Sequence, residues 1–271
     1  MVRRRLLPFG MADQPRARKP LPYWGFGVVV IVYLAIIQGG GILVEHVGDH
    51  DDTATTTEGV IYNLWIPLGA ALVFTYAVVA VLGWWHPVLR DDRPVRRWVW
   101  VVPITFALCS LAAIDYAALG DKTAGYVLAL FIATQFVGWG EEGMFRGIGV
   151  TTLRAHGLTE GKVAFWSSVI FGAVHLSNSL THGAQAIPQA LAVSCAGYFF
   201  YLTRRVAGTN AVNSILHGLF DFSILTGTVV LVDQNPYAGA AAAILAYLIV
   251  AALLLVRRHH IEAPTPAPAT D

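Results

Sequence analysis

Residues 125–151 read GYVLALFIATQFVGWGEEGMFRGIGVT, and the rest of the chain takes its meaning from them. A helix of roughly 20 apolar residues crosses the hydrocarbon core of a bilayer, and this stretch is long enough. Yet it carries Glu141, Glu142 and Arg146 inside it. Ionisable groups at membrane depth cost at least ~2.5 to 3.5 kcal/mol each on insertion scales, and they are functional candidates by default. One segment is therefore both a membrane span and the first candidate site.

Working outward, the whole chain of 271 residues is 56% hydrophobic and only 13% charged, a membrane composition rather than that of a soluble domain. Apolar runs cover nearly its full length and leave no soluble block of domain size. The same window predicts eight spans, over 24–44, 60–83, 98–118, 125–151, 162–178, 186–203, 210–231 and 238–256. The run from Val28 to Ile37 continues through Gly39, Gly40 and Gly41 to Val44 with no small-x-small site, which suits an uncleaved first span. The expected fold is thus all-α, a polytopic membrane bundle of about eight transmembrane helices filling residues 23–258. Residues 1–22 are expected as a disordered basic N-terminal segment, and 259–271 as a disordered tail rich in Pro, Ala and Thr.

Charge gives a test independent of hydropathy, because Lys and Arg collect on the cytoplasmic side. With eight spans and both termini cytoplasmic, Arg3, Arg4, Arg5, Arg16, Arg18 and Lys19 precede span one. Arg90, Arg93, Arg96 and Arg97 follow span two, Arg154 and Lys162 span four, Arg204 and Arg205 span six, and Arg257 and Arg258 span eight. These groups of six, four, two, two and two make 16 of the 18 basic residues. The first outer loop instead holds Asp49, Asp51, Asp52 and Glu58. An integral, multi-pass cell-membrane protein is expected. A net charge of +1 with no basic face argues against nucleic acid as a partner. Cys109 and Cys195 lie in apolar segments, and there is no CxxC motif. No internal repeat supports an inverted-repeat transporter.

Three spans carry the buried polar groups. In span four, Glu142 and Arg146 stand at i and i+4 with the acid first, the favoured order for an ion pair. Glu141 points about 100 degrees away on a regular helix and is left as a candidate general base. In span five, Phe171 and His175 share a face one turn apart, where the ring reads as packing and the imidazole as packing or catalysis. In span seven, Asn213, His217 and Asp221 form a polar stripe at successive i+4 spacings. Such a pair could hold a metal or a water, or simply bond within the helix. At ~1.5 Å rise per residue Glu141 and His175 lie about 20 Å from the inner ends and His217 about 12 to 16 Å, so all can meet in one water-reached cavity.

The ordered set Glu141-Glu142-x-x-x-Arg146, Phe171-x-x-x-His175 and His217-x-x-x-Asp221 resembles the CAAX prenyl protease and bacteriocin-processing family (CPBP, or Abi), over about residues 125–231. The resemblance implies an intramembrane endopeptidase, by some accounts a metalloprotease, cutting a membrane-associated or lipidated protein or peptide. It implies that Glu141 activates water, that His175 assists or ligates, and that His217 with Asp221 completes the site or stabilises the oxyanion. Glu142, Arg146, Asn213 and Phe171 would support them. A divalent metal such as zinc on Glu141, His175, His217 and Asp221 is allowed by that donor set. The family carries Asn or Asp at the last position. Asp221, when ionised, cannot donate to an oxyanion but can ligate or orient His217.

The rival class is a non-enzymatic membrane protein, a proton-coupled transporter or a scaffold that keeps the polar core. Other intramembrane proteases fit less well. There is no HExxH or GxGD motif, Asp115 reads as interfacial, and Ser167, Ser168, Ser177 and Ser214 lack the glycine setting of a nucleophile elbow.

Overall fold

The computed structural model describes residues 20–46, 54–93, 95–178, 186–227 and 238–262, and it contains helices and no strand among them. The long helices are α1 (Tyr23–His46), α2 (Thr57–Leu82), α3 (Arg97–Ala113), α4 (Ala124–Glu141), α5 (Glu160–Val174), α6 (Ala186–Ala207), α7 (Asn210–Thr226) and α8 (Ala238–Val256). Each lies where a span is expected. Of these, α1 over Tyr23–Val44 and α2 over Thr57–Leu82 are long and apolar enough to cross a membrane. Large apolar side chains face outward on most of them, including Ile31, Val73, Val81, Ile104, Leu108, Leu191 and Leu253. Such continuous apolar exposure needs a non-aqueous surrounding.

Local chemistry sets the helix ends. Thr123 caps α4 by accepting from Tyr126 N–H, and Thr209 caps α7 by accepting from Ala211 N–H. Gly83 closes α2 at φ 63°, a left-handed conformation that favours glycine. Span three is corrected: its helix ends at Ala113, and Asp115 starts a separate helix, Tyr116–Gly120, by accepting from Ala118 N–H. Span four, expected as a regular helix to 151, changes pitch. From Glu142 to Gly149 it is a π-helix, and it regains α geometry over Val150–Ala155. Span five turns to 3₁₀ over His175–Asn178, and span seven ends at Thr226 within the described residues.

Close backbone approach fixes two crossings. A Cβ at Gly138 would strike the Ser214 carbonyl and lie 2.7 Å from Gly218 N, so α4 and α7 pack with no side chain between them. A Cβ at Gly172 would meet Ser194 and the Ala190 carbonyl, and that brings α5 against α6 equally closely. Phe106, Phe199, Phe200, Phe220 and Tyr247 fill the space between α3, α6, α7 and α8 with edge and stacked ring contacts.

One end of the bundle is tied by ion pairs. Arg154 binds Asp91 at 2.9 Å and Glu160 at 2.7 Å, and Arg204 binds Asp91 at 2.9 Å. Arg93 also pairs with Glu160. Arg204, fully buried, donates in addition to the carbonyls of Pro87, Val88, Arg90 and Arg146. Burial alone would raise the Asp91 and Glu160 carboxyls, but Arg154, with Arg204 on Asp91, holds both below their usual range. The loops after α2 and α6 and the turn between Val150–Ala155 and α5 therefore meet, and these are loops expected on one side.

The tail expectation needs a correction. His259 and His260 belong to a 3₁₀ turn, Ile261 is buried, and the Glu262 carboxylate takes both terminal nitrogens of Arg205 at 2.8 and 2.9 Å. The remainder of that segment, and residues 1–19 of the N-terminal one, lie outside the described residues.

Candidate active site

The π-helical segment and α7 face each other across the Gly138 crossing, and their polar residues meet there. Glu142 lies at the centre, fully buried. Its Oε1 accepts from Arg146 Nη1 at 3.0 Å and lies 2.9 Å from His217 Nδ1. Its Oε2 accepts from the Asn213 amide, and its backbone carbonyl accepts from Asn210 Nδ2 at 2.8 Å. The Glu142–Arg146 pair is present as the spacing predicts. The reading of Glu142 as that arginine's partner alone is too narrow, because the same carboxylate also holds His217.

The second imidazole nitrogen points the other way. His217 Nε2 lies 3.7 Å from Glu141 Oε2 and 3.5 Å from Asp221 Oδ2, with no hydrogen bond formed to either. These separations leave Nε2 free to bond a water lying beside the three groups on the cavity side. Glu141 Oε2 is buried with no hydrogen-bond partner, although 14% of the Glu141 side chain and 25% of the Asp221 side chain remain accessible. Both carboxylates and both histidines line one cavity of about 760 Å³, whose remaining wall is almost wholly apolar: Val137, Phe171, Val193, Phe200, Phe220, Ile224, Tyr247 and others.

Rings hold the imidazole in place. Phe200 stacks on His217 with centroids 4.4 Å apart and planes at 19°, and Phe171 meets it edge-on at 5.8 Å. Phe171 also lies under Arg146, whose guanidinium carbon is 3.9 Å from the ring centre. The arginine thus spends its charge on Glu142 and two aromatic faces. His175 Nδ1 bonds the Phe171 carbonyl at 2.8 Å, which fixes the ring one turn from Phe171 as expected and leaves Nε2 on the cavity side.

Glu141, His175, His217 and Asp221 therefore share one cavity with Phe171 in its wall, and Glu142, Arg146 and Asn213 form the buried network behind His217. The four serines divide: Ser167, Ser168 and Ser177 donate to carbonyls of their own helices, and Ser214 Oγ is buried without a partner beside the crossing. Asn210 and Phe200 were missed by sequence reasoning. Asn210 continues the Asn213 stripe by one turn and was open to detection; Phe200 sits in an aromatic run with nothing to mark it.

A zinc ion would find suitable donor atoms in Glu141, His217 and Asp221. Among the described residues, however, no group of three or more His, Cys, Asp or Glu side chains is gathered as a cation site.

Residues 123–223 match the family described as Rce1-like, type II CAAX prenyl endopeptidase Rce1-like, and the matched stretch contains Glu141, Glu142, Arg146, Phe171, His175, Asn213, His217 and Asp221. No curated protein and no solved structure matches the chain.

Proposed function

We propose that this chain, Rce1-like over residues 123–223, hydrolyses a peptide bond of a membrane-associated or lipidated substrate with Glu141 as general base. One observation carries the reading: the partnerless Glu141 Oε2 and His217 Nε2 lie 3.7 Å apart at the wall of one largely apolar cavity, where a single water on the cavity side of the pair reaches both.

The geometry supports the following steps. A water between Glu141, His217 and Asp221 gives one proton to Glu141 Oε2 as its oxygen bonds to the substrate carbonyl carbon. His217, protonated on both nitrogens, donates Nδ1–H to Glu142 and Nε2–H to the resulting oxyanion. The C–N bond then breaks, and the amine leaves with the proton that Glu141 took. Glu142 positions His217, much as a carboxylate orients the imidazole of a catalytic triad. Asp221 orients the water and the ring from the cavity side, and His175 Nε2 reaches the substrate carbonyl or the departing group. The surrounding apolar wall excludes bulk water and strengthens each of these interactions.

The eight helices are read as eight membrane spans with both termini cytoplasmic. The meeting of alternate loops at one ion-paired end supports this topology. Glu141→Gln in the purified protein tests the function: cleavage of a membrane-anchored peptide should vanish while thermal unfolding is unchanged. Undiminished cleavage by that variant would refute the proposal.

A further inference from the structure

Arginines at the ion-paired end fall into two sets. Arg93, Arg154, Arg204 and Arg205 each pair with a carboxylate. Among the described residues, Arg96, Arg97, Arg257 and Arg258 pair with none, and all four are exposed. Their hydrogen bonds go only to backbone, from Arg96 Nε to the Glu262 carbonyl at 3.1 Å and from Arg258 Nη1 to the Leu255 carbonyl at 3.0 Å.

Two hydrogen bonds, one from backbone and one from a side chain, bring the segments that carry these four together. Arg96 N–H donates to the Ile261 carbonyl at 2.9 Å, and Trp98 Nε1 donates to the His260 carbonyl at 3.1 Å. The start of α3 and the end of α8 therefore lie side by side. The helices also pack together further along, at the Phe106–Tyr247 ring contact and at Ala113 with Ala243. Their outer faces are apolar and exposed: Ile104 and Leu108 on α3, Leu245, Ile249 and Leu253 on α8. Trp98 and Trp100, each near two-fifths exposed, lie between the apolar face and the arginines.

We infer that the α3–α8 seam binds an anionic phospholipid, its phosphate held by Arg96, Arg97, Arg257 and Arg258 and its acyl chains lying along the exposed apolar faces. Uncompensated positive charge capping an apolar seam is complementary to a molecule that is negative at one end and hydrocarbon at the other. Indole rings at that level suit the interface between the two. Glu262, whose backbone carbonyl accepts from Arg96, has its carboxylate paired with Arg205 and does not oppose the phosphate.

The test uses the full purified chain and phosphatidylglycerol against phosphatidylcholine as probes, read by native mass spectrometry. Wild type should retain phosphatidylglycerol preferentially, and R96Q/R97Q/R257Q/R258Q should lose that preference by about tenfold or more. Lys162→Gln, an exposed charge on α5 at the same end, should leave it unchanged. Should the quadruple variant fail to fold, Arg97→Gln and Arg257→Gln serve singly. Neither side chain makes a hydrogen bond among the described residues, and each should weaken retention about two- to fivefold. An unaltered preference in these variants would overturn the inference. So would complete displacement of the lipid by millimolar glycerol phosphate, which would show that the acyl chains add nothing.

Discussion

His217 is held by Glu142 through Nδ1 at 2.9 Å, while Nε2 stands 3.7 Å from Glu141, so adjacent acids on one strand of chain address opposite sides of one ring. A regular helix would turn Glu141 and Glu142 about 100 degrees apart. They converge on one ring because α7 crosses at Gly138 without intervening side chains. One acid is enclosed in the protein and the other opens to the cavity, which separates support from chemistry.

Glu142→Gln should therefore destabilise far more than Glu141→Gln. It leaves Arg146 buried without its counter-charge, a loss of about 3 to 5 kcal/mol. Thermal unfolding in detergent should show a large drop for Glu142→Gln and a smaller one for Glu142→Gln with Arg146→Met. Equal melting of the two single glutamate variants would contradict the division.

His217→Ala should lower hydrolysis about 10² to 10³-fold, the range for loss of one hydrogen-bond donor to the oxyanion. Asp221→Asn should retain much more, because Glu142 still fixes the ring and an amide oxygen can accept where the carboxylate did. Initial rates on one anchored peptide decide the order, and a dead Asp221→Asn enzyme would assign Asp221 a heavier role.

Gly138→Ala should cost about 3 kcal/mol, the upper end for overpacking, because the new methyl meets backbone rather than a movable side chain. Gly39→Ala, in the interior of α1 with nothing within 4 Å of its Cβ, should be neutral or stabilise by up to about 1 kcal/mol. Opposite signs in paired melting curves would establish the tight crossing.

Acid should loosen the ion-paired end. Glu160 is held below its usual range in the folded chain, so its contribution is complete above the unfolded value, roughly 4.3, and fades as pH falls toward the lower folded one. Unfolding temperature followed from pH 6 to pH 3 should decline, and Glu160→Gln should flatten that decline. An unchanged slope would show that the network contributes nothing to stability.

Hydropathy made the helical class and the place of each long helix legible, because a span is recognised by its own composition. The three motifs gave the site, since i and i+4 spacings fix which side chains share a face. Spacing could not reveal which helices cross closely. Gly138 and Gly218 matter through contacts between segments far apart in the chain, and so does Glu142's hold on His217. The π pitch after Glu141 was equally hidden, because an altered helical turn leaves the apolar pattern nearly intact. Residues 259–262 misled for a different reason: they lie beyond the last apolar run, next to a Pro, Ala and Thr stretch, and only the partner Arg205, more than fifty residues earlier, makes Glu262 part of the fold.

That attachment of Glu262 sets a timetable. Arg96 and Arg205 are made before α8, yet the acid and the carbonyl that hold them follow it in the chain. Chains fold from the N-terminus as they emerge. The bundle must consequently wait, nearly assembled, for residues 260–262 before Arg96, Trp98 and Arg205 gain these partners.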